Sequence, residues 1–521
     1  MPRGLTILGV LAGVLALGFQ AVGLGQTTPP AAKRVIEAGG VTAVDAGFDP
    51  AALRSRRTAA IELAGAQSAG NPRYVSGEVI ARFTPGAAPE RLAGRLLELG
   101  VRRAAPRPDA AGFDLLELVP GADPEAVAQA LAALPDVEFA QPSYLRRPLF
   151  VPNDPYFAEQ WNLAILNMTQ AWDINRGAGE TVIAAVIDTG VALFDGHIEF
   201  EASAFTLDDV WEYPALGALR IPFAAAPDLA GPDRFVAPWD FIWEDDTPVD
   251  LEGHGTHVAG AIGQLTDNGI GAAGMAFNVR IMPLKVLANE WDLIFGALDG
   301  DECCGASDAD VARAIRYAVD NGARVINLSL GGEEESPVID DAVRDAVERG
   351  AFVAMAAGNE FMDGNPPSHP AASSAAIDGA MAVGAVDQSL RRAEYSNTGS
   401  YVEIAAPGGY RSRDGTYDGG LVLQQRISRR AALTFLLPPA FFGPPRFDEL
   451  VIAGAQGTSF ATPHVTGLAA LLMTQGITDP AVIEAAIKYF AVDLGPAGRD
   501  DEFGYGLINP HATLRGFGLN R

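Results

Sequence analysis

The chain has 521 residues, and its formal net charge of −28 makes it strongly acidic. So large a negative charge argues against nucleic acid or an anionic membrane surface as a partner. The length suits one large α/β domain together with a small one. The two cysteines, Cys303 and Cys304, are adjacent and cannot join distant segments, which excludes a domain built on disulfide bonds.

Residues 1–25 combine a basic start at Arg3 with a long apolar stretch and small residues near its end. This pattern is typical of a secretory signal peptide, and an uncleaved membrane anchor is the alternative. No second apolar segment of spanning length follows, so we expect a secreted protein without membrane contact after signal removal. The periplasm is a further alternative. Residues 26–73 are rich in Ala, Gly and Arg without a sustained period, which indicates a linker or a partly disordered arm.

Residues 74–150 have the pattern of a small folded domain. Strand-like and helical spacings alternate along it, in the order strand (78–83), helix (89–99), strand (113–119), helix (124–134) and strand (137–140). This order predicts a small α+β domain of the ferredoxin-like type.

Two later segments bring an acid and a histidine to the ends of predicted elements. Residues 184–191 form a short apolar run that ends in an acid and a glycine, which predicts a buried strand with Asp188 at its carboxyl end. Residues 253–260 open a predicted helix with His254 at its start. In an open parallel sheet, sites gather at the carboxyl ends of strands and the adjoining helix starts, so we expect these two side chains to lie close together.

A third segment supplies a nucleophile candidate. In residues 457–464, Ser459 stands in a tight turn before a long apolar run, which predicts a buried helix with the hydroxyl at its N-terminus. A serine needs a histidine to take its proton and a carboxylate to orient that histidine. The chain order Asp188, His254, Ser459 is one of the known orders for such a triad.

These three segments together resemble the signature motifs of the subtilisin-like serine peptidases, the subtilases. The resemblance implies a doubly wound α/β fold with a parallel sheet in residues 151–521 and a serine endopeptidase activity on polypeptides through an acyl-enzyme. It also implies that residues 74–150 are an inhibitory propeptide, which acts in cis and is cut between about residues 144 and 153. No cofactor is needed for this chemistry, and we expect a monomer.

The same resemblance assigns further residues to the site. Asn359 is expected to hold the oxyanion with its side-chain N–H, beside the backbone N–H of Ser459. The substrate-binding residues that it implies are Ser329, Leu330, Gly331, Gly358 and Ser368. Ser368 falls near the floor of the specificity pocket, where no acid stands, so a large apolar or aromatic residue before the scissile bond is favoured. Glu360 at the rim would tolerate Lys or Arg there.

A structural calcium ion is also implied by the resemblance, because oxygen ligands of the family's strong site have counterparts here. The matching residues are Gln160, Glu199, Leu265, Asn268, Ile270 and Ala272. The match departs by one extra residue in the loop and by Glu in place of the usual Asp. His257 and His464 are expected to be packed structural residues, and a metal site at His254 and His257 is disfavoured because acidic ligands are missing.

Three alternatives remain open at this stage. One is a scaffold that keeps the fold without activity, and another is an esterase or transferase with the same triad. Whether a peptidase would process one partner or degrade many proteins is not decided. Two insertions, residues 205–250 and 408–453, are expected mainly to pack and to form a strand pair or flap beside the cleft, respectively.

Overall fold

The protein is described here from a computed structural model. The residues that it describes are 35–38, 74–84, 87, 92–106, 113–144, 150–202, 205–207, 211–213, 217–231, 233–297, 305–428 and 445–518. The predicted signal peptide, most of the predicted arm and both cysteines lie outside these residues. Within them, no helix is long and apolar enough to cross a membrane.

The chain divides into two compact units. The larger contains Met1–Asp45, Pro152–Met473 and Ile477–Arg521, and the smaller contains Ala46–Val151 and Thr474–Gly476. The strands before the main sheet are β1 (Val35–Ala38), β2 (Tyr74–Phe83), β3 (Val101–Pro106), β4 (Asp114–Leu118) and β5 (Val137–Tyr144). The first of these belongs to the larger unit and the other four to the smaller.

The smaller unit is a four-stranded antiparallel sheet with two helices. Its strand order is β3-β4-β2-β5, and the helices are α1 (Ala93–Glu98) and α2 (Pro124–Ala132). Val79, Leu116 and Leu131 are fully buried between sheet and helices. Asp123 caps α2 by accepting a hydrogen bond from the Glu125 N–H at 3.1 Å. This confirms the predicted α+β class, although β3 was not predicted.

The larger unit is built on a seven-stranded parallel sheet in the order β11-β12-β6-β13-β14-β15-β16. The strands of this unit are β6 (Ile183–Asp188), β7 (Gly196–Ala202), β8 (Phe205–Leu207), β9 (Trp211–Tyr213), β10 (Gly217–Phe223), β11 (Trp239–Asp240), β12 (Arg280–Lys285), β13 (Val325–Leu328), β14 (Phe352–Ala356), β15 (Ala380–Val386), β16 (Ile404–Pro407), β17 (Val422–Ile427) and β18 (Leu450–Ala455). Strands β6 and β13 to β16 are buried at every position, which explains why their sequences are apolar except for Asp188 at the end of β6 and Asn327 in β13. The predicted α/β class with a parallel sheet is confirmed.

Helices surround this sheet. They are α3 (Trp161–Ile165), α4 (Met168–Ile174), α5 (His254–Gly263), α6 (Glu290–Ile294), α7 (Asp308–Asp320), α8 (Pro337–Glu348), α9 (Thr458–Thr474), α10 (Pro480–Tyr489) and α11 (Pro510–Gly518). Ile315 of α7 and Val343 of α8 share one core cluster with Ile326 and Val353 of the sheet. Helices α5 and α9 are buried along almost their whole length. An amphipathic stripe therefore suffices for α7 and α8. Helices α5 and α9 are mostly apolar around their whole circumference, and buried polar residues such as His464 and Thr466 are hydrogen-bonded.

The two predicted insertions are ordered over much of their length. Strand β7 pairs antiparallel with β10 on one side and β1 on the other, and β17 pairs antiparallel with β18. The predicted strand pair in residues 408–453 is therefore present, while residues 429–444 lie outside the described part. Phe223 of the first insertion stacks on Phe447 of the second, with 5.2 Å between ring centroids. Phe200, which precedes the first insertion, stacks on Phe295 with 4.0 Å between ring centroids.

Candidate active site

An aspartate and a histidine meet at the carboxyl edge of the parallel sheet. Asp188 is the last residue of β6, and His254 is the first residue of α5. His254 Nδ1 lies 2.7 Å from Asp188 Oδ1, and the Asp188 side chain is fully buried whereas the His254 side chain is 20% exposed. A buried carboxylate thus fixes a partly exposed imidazole, as a general base requires.

The start of α5 is held close to Asp188 by its own sequence. A side chain at Gly255 would place its Cβ 2.2 Å from the Gly190 carbonyl oxygen, so only glycine permits this approach. Asp250 accepts hydrogen bonds from the backbone N–H groups of Gly253 at 2.7 Å and Thr256 at 3.0 Å. The analysis of the sequence did not identify Asp250, which caps the helix that carries His254.

The environment of His254 favours its protonated form. Burial alone lowers the pKa of His254, but the charge and hydrogen bond of Asp188, together with the charges of Glu252 and Asp250, outweigh it and raise the pKa from 6.5 to about 9. The other two buried histidines behave oppositely, because burial lowers the pKa of His257 to about 3 and that of His464 to about 4. Phe460 packs between two of these rings, 5.1 Å from His254 and 4.5 Å from His257.

Ser459 is anchored to the end of β13 by two hydrogen bonds with one residue. The Ser459 hydroxyl donates to the Ser329 carbonyl oxygen at 3.2 Å, and the Ser329 hydroxyl donates to the Ser459 carbonyl oxygen at 2.7 Å. The Asn327 amide donates to the Ser329 hydroxyl at 2.8 Å and accepts from the Thr466 hydroxyl at 2.9 Å. A buried polar chain therefore links the first turn of α9 to the sheet.

Asn359 lies three residues beyond β14, next to the turn that opens α9. Its side-chain oxygen accepts hydrogen bonds from the Thr458 backbone N–H at 2.8 Å and from the Thr458 hydroxyl at 3.0 Å. Because the amide oxygen is occupied in this way, the N–H₂ half of the Asn359 side chain is the half available to a ligand. The backbone N–H of Ser459 follows directly in the chain.

Three of the predicted substrate-binding residues converge on one place. A Cβ at Gly331 would lie 2.3 Å from Ser368 Oγ, and a Cβ at Gly358 would lie 2.8 Å from Ser368 Cβ. Glycine at both positions therefore allows the backbone to approach a buried Ser368 closely. The remaining two, Ser329 and Leu330, directly follow β13. The Glu360 carboxylate is tied down, since it accepts hydrogen bonds from the Asn359 N–H at 2.7 Å and the Asn397 amide at 3.2 Å.

The residues predicted to bind calcium are not all brought together. Glu199 is an exposed residue of β7, opposite Arg220 in the register with β10. Gln160 binds main chain, since its side chain both accepts from the Ala273 N–H at 2.7 Å and donates to the Ala273 carbonyl at 2.9 Å. In the described part of the chain, no three His, Cys, Asp or Glu residues form a metal-binding group.

Two other acids, Asp228 and Asp154, bind the loop that contains Leu265, Asn268, Ile270 and Ala272. Asp228 accepts hydrogen bonds from the Asn268 amide at 2.7 Å and the Ala272 N–H at 2.9 Å. Asp154 accepts from the backbone N–H of Asn268 at 3.2 Å. Both carboxylates are buried, and within the described residues neither forms an ion pair with Lys, Arg or His.

Burial raises the pKa of Asp228 from 3.8 to about 6, and the nearby charge of Asp154 adds to this rise. A buried pair of carboxylates without a cation is unfavourable when both are charged. Carboxylate oxygens are ligands that calcium prefers, so these two acids are candidate calcium ligands. The sequence did reveal the loop, but both acids were missed.

Comparison with known proteins relates both units to one kind of protein. Residues 179–506 match the family model of the Subtilase family, and residues 61–143 match that of the Fervidolysin N-terminal prodomain. A thermophilic serine proteinase of Bacillus sp. (strain AK1) is 33% identical over 444 residues, which cover 85% of this chain and 88% of the relative.

Two further relatives have the same character. Thermitase of Thermoactinomyces vulgaris is 34% identical over 368 residues, which cover 70% of this chain and 100% of the relative. An extracellular protease of Xanthomonas campestris pv. campestris is 30% identical over 451 residues, which cover 81% of this chain and 66% of the relative.

Proposed function

Because this chain belongs to the subtilase family of serine peptidases, with a prodomain ahead of the peptidase domain, we propose that it cleaves polypeptides through Ser459, His254 and Asp188. The single observation that carries the proposal is the 2.7 Å contact between His254 Nδ1 and the buried Asp188 carboxylate. It is supported by the position of Ser459 in the first turn of α9, where its hydroxyl binds the carbonyl oxygen of Ser329, directly after β13.

In the proposed mechanism, the Ser459 hydroxyl attacks the carbonyl carbon of the scissile peptide bond. Its proton passes to Nε2 of His254, and Asp188 stabilises the imidazolium that forms. The resting hydroxyl donates to the Ser329 carbonyl, so it must turn from that acceptor toward His254 before attack. His254 then donates the proton to the leaving amine, and water releases the acyl group from Ser459.

We propose that the tetrahedral intermediate is held by Asn359 and by the backbone N–H of Ser459. The support for Asn359 is its orientation, since Thr458 occupies the amide oxygen and leaves the N–H₂ group for an oxyanion. The helix dipole at the start of α9 acts in the same direction on the developing charge.

The proposed substrate is an extended polypeptide that lies along the residues after β13. The Gly332 N–H and carbonyl already pair with His369 as in an antiparallel bridge, at 3.0 and 2.8 Å. A substrate would add a strand to residues 329–331, as peptides do at open sheet edges. The Glu360 carboxylate lies beside Gly358, since a Cβ there would be 2.8 Å from Glu360 Oε2. We therefore propose that a large apolar residue stands before the scissile bond and that Glu360 also allows Lys or Arg at this position.

We propose that the prodomain inhibits the peptidase in cis until the chain cuts itself between about residues 144 and 153, and that the protein is secreted. The match to a prodomain family and the extracellular relatives support this. Residues 145–149 of the proposed cleavage segment lie outside the described residues.

We also propose a structural calcium ion at the loop of residues 265–272. Asp154, Asp228 and Asn268 would hold it, with main-chain oxygens of the loop as further ligands. The fit rests on two buried carboxylates without a cationic side chain as partner in the described residues. The ion would neutralise these carboxylates and would take no part in the reaction.

The decisive experiment for the proposed function is the intact mass of the purified full chain, wild type beside Ser459→Ala. We expect the wild type to lose its N-terminal part up to the 144–153 segment and Ser459→Ala to stay whole. Ser400→Ala, which removes an exposed hydroxyl, is the matched control and should process as the wild type does. Processing of Ser459→Ala at the wild-type rate would exclude Ser459 as the nucleophile.

A further inference from the structure

The hydroxyl of Tyr395 lies between two turns of the larger unit and binds both. It donates a hydrogen bond to the Gly409 carbonyl oxygen at 2.6 Å and accepts one from the Gly457 N–H at 2.9 Å. Gly409 follows β16, whereas Gly457 stands directly before α9 and two residues before Ser459. One hydroxyl therefore connects the end of a sheet strand to the turn that presents the nucleophile.

We propose that Tyr395 is a positioning residue for Ser459, and that it acts by fixing the turn at Gly457. The proposal rests on the proposed role of Ser459 in catalysis. Two consecutive N–H groups of this turn are bound by two different side chains, Gly457 by Tyr395 and Thr458 by Asn359. Since the Asn359 contact also orients the amide for the oxyanion, a shift at Gly457 would disturb nucleophile and oxyanion donors together.

The Tyr395 hydroxyl can act only as a hydrogen-bonding bridge. Burial raises the pKa of Tyr395 far above its usual value, so the phenol stays protonated at any working pH. A protonated phenol can donate one hydrogen bond and accept another, as both contacts require. Both contacts of the Tyr395 hydroxyl are with main-chain atoms, so its effect on Ser459 passes through the backbone of the turn.

The insertion at residues 408–453 holds the Tyr395 ring in place. The ring packs on Tyr410 with 6.2 Å between centroids, and Tyr410 packs on Tyr417 at 5.7 Å. The Arg391 guanidinium covers the outer face of Tyr417 at 4.3 Å. The first part of the insertion thus supports Tyr395 through this aromatic row, and Tyr395 in turn supports the turn before Ser459.

The test is Tyr395→Phe in the full chain, because it removes the hydroxyl and leaves the ring packing. The Gly409 carbonyl oxygen then loses the Tyr395 donor, and the Gly457 N–H keeps only its 3.1 Å hydrogen bond to the Gly408 carbonyl oxygen. We expect kcat per active site to fall about tenfold as the turn loosens, while KM changes less than about twofold. Active sites are counted by labelling with a serine-directed organophosphonate, so unfolded protein does not enter the rate. The pH profile should keep its shape, because His254 and Asp188 are untouched.

Tyr410→Phe is the matched control, because its hydroxyl bonds to Glu394 and not to the nucleophile turn. We expect it to keep the wild-type kcat per active site. The positioning role is overturned if Tyr395→Phe has the wild-type kcat per active site, or if Tyr410→Phe loses as much as Tyr395→Phe. Absence of organophosphonate labelling on Ser459 of the processed wild type would instead overturn the proposed function itself.

Discussion

The side-chain oxygen of Asn359 accepts two hydrogen bonds from Thr458, one from its backbone N–H and one from its hydroxyl. The two residues come from different elements, since Asn359 follows β14 and Thr458 begins α9. Their contact fixes which half of the amide faces a ligand. It also ties the proposed oxyanion donor to the residue directly before Ser459, so donor and nucleophile move as one unit.

Replacing Asn359 with Ala should reduce kcat roughly a hundred- to a thousandfold, the range established for this amide in subtilisin-type peptidases. KM should change little, because the donor binds charge that exists only in the transition state. Steady-state kinetics on a peptide amide substrate measure both constants.

Thr458→Val tests the orientation of the amide separately. It removes one of the two hydrogen bonds to Asn359 and should lower kcat by about two- to tenfold. Thr458→Ser keeps the hydroxyl and is the control, for which we expect nearly wild-type kcat. Wild-type activity of Thr458→Val would show that the main-chain contact alone orients Asn359.

The raised pKa of His254 predicts an alkaline peptidase. A general base must be neutral, so kcat/KM should rise with pH as His254 loses its proton. The midpoint of this rising limb should lie above the usual histidine pKa of 6.5, toward about 9. Asp188→Asn should bring this limb to lower pH, because the charge that stabilises the imidazolium is gone, and should cut kcat by about 10⁴-fold. A rising limb at or below pH 6.5 in the wild type would contradict the prediction.

The same shift has a consequence for folding. Since the folded pKa of His254 lies above its unfolded value, its protonation stabilises the fold fully below pH 6.5, and this contribution is lost as pH rises through about 9. Asp188→Asn should reduce that pH dependence of the melting temperature. Asp195→Asn, which changes an exposed acid to an amide in the same segment, should leave it unchanged.

The positions of Asp188, His254 and Ser459 within the fold could be predicted because each stands where a local pattern changes. An apolar run ends at Asp188, a helix begins at His254, and a tight turn precedes the helix of Ser459. Such boundaries are local properties of the sequence. The pairing of Asn359 with Thr458 is different, because it depends on how two strands and a helix are arranged in space.

The acid of the proposed calcium site shows why other residues could not be found. Counting along the chain from Asp188 leads to Glu199, which the structure places in β7. The hairpin of β7 and β10 separates Glu199 from Asp228, the acid that contacts Asn268. A sequence pattern can reveal a hairpin, but the residue at which the chain returns to a loop depends on the length of the hairpin and its packing. Strand β3 was missed because its alternation is weak.

Removal of calcium should lower the melting temperature of the folded chain. At a hundredfold excess over its dissociation constant, one bound ion stabilises by about 2.7 kcal/mol, and a chelator removes this contribution. Thermal unfolding of the Ser459→Ala chain, with calcium and with a chelator, measures it without self-digestion. Asp228→Asn should abolish the difference, whereas Glu199→Gln should retain it. If Glu199→Gln abolished the difference and Asp228→Asn retained it, the calcium ligand would be Glu199 and not Asp228.

Breaking a buried ion pair beside the site should strongly destabilise the larger unit. Lys285 Nζ lies 2.6 Å from Asp292 Oδ1, and both side chains are fully buried. Lys285→Met leaves the Asp292 charge with N–H donors from Trp243 and Asn289 but without a cation, and should lower the free energy of unfolding by about 3–5 kcal/mol. The double variant Lys285→Met/Asp292→Asn should be more stable than Lys285→Met, because that charge is gone.

Arg349→Met, at an exposed ion pair with Asp320, should cost at most about 1 kcal/mol. Denaturant unfolding of each variant in the Ser459→Ala chain measures these free energies. Equal losses of unfolding free energy for Lys285→Met and Arg349→Met would show that the Lys285–Asp292 pair is not dehydrated.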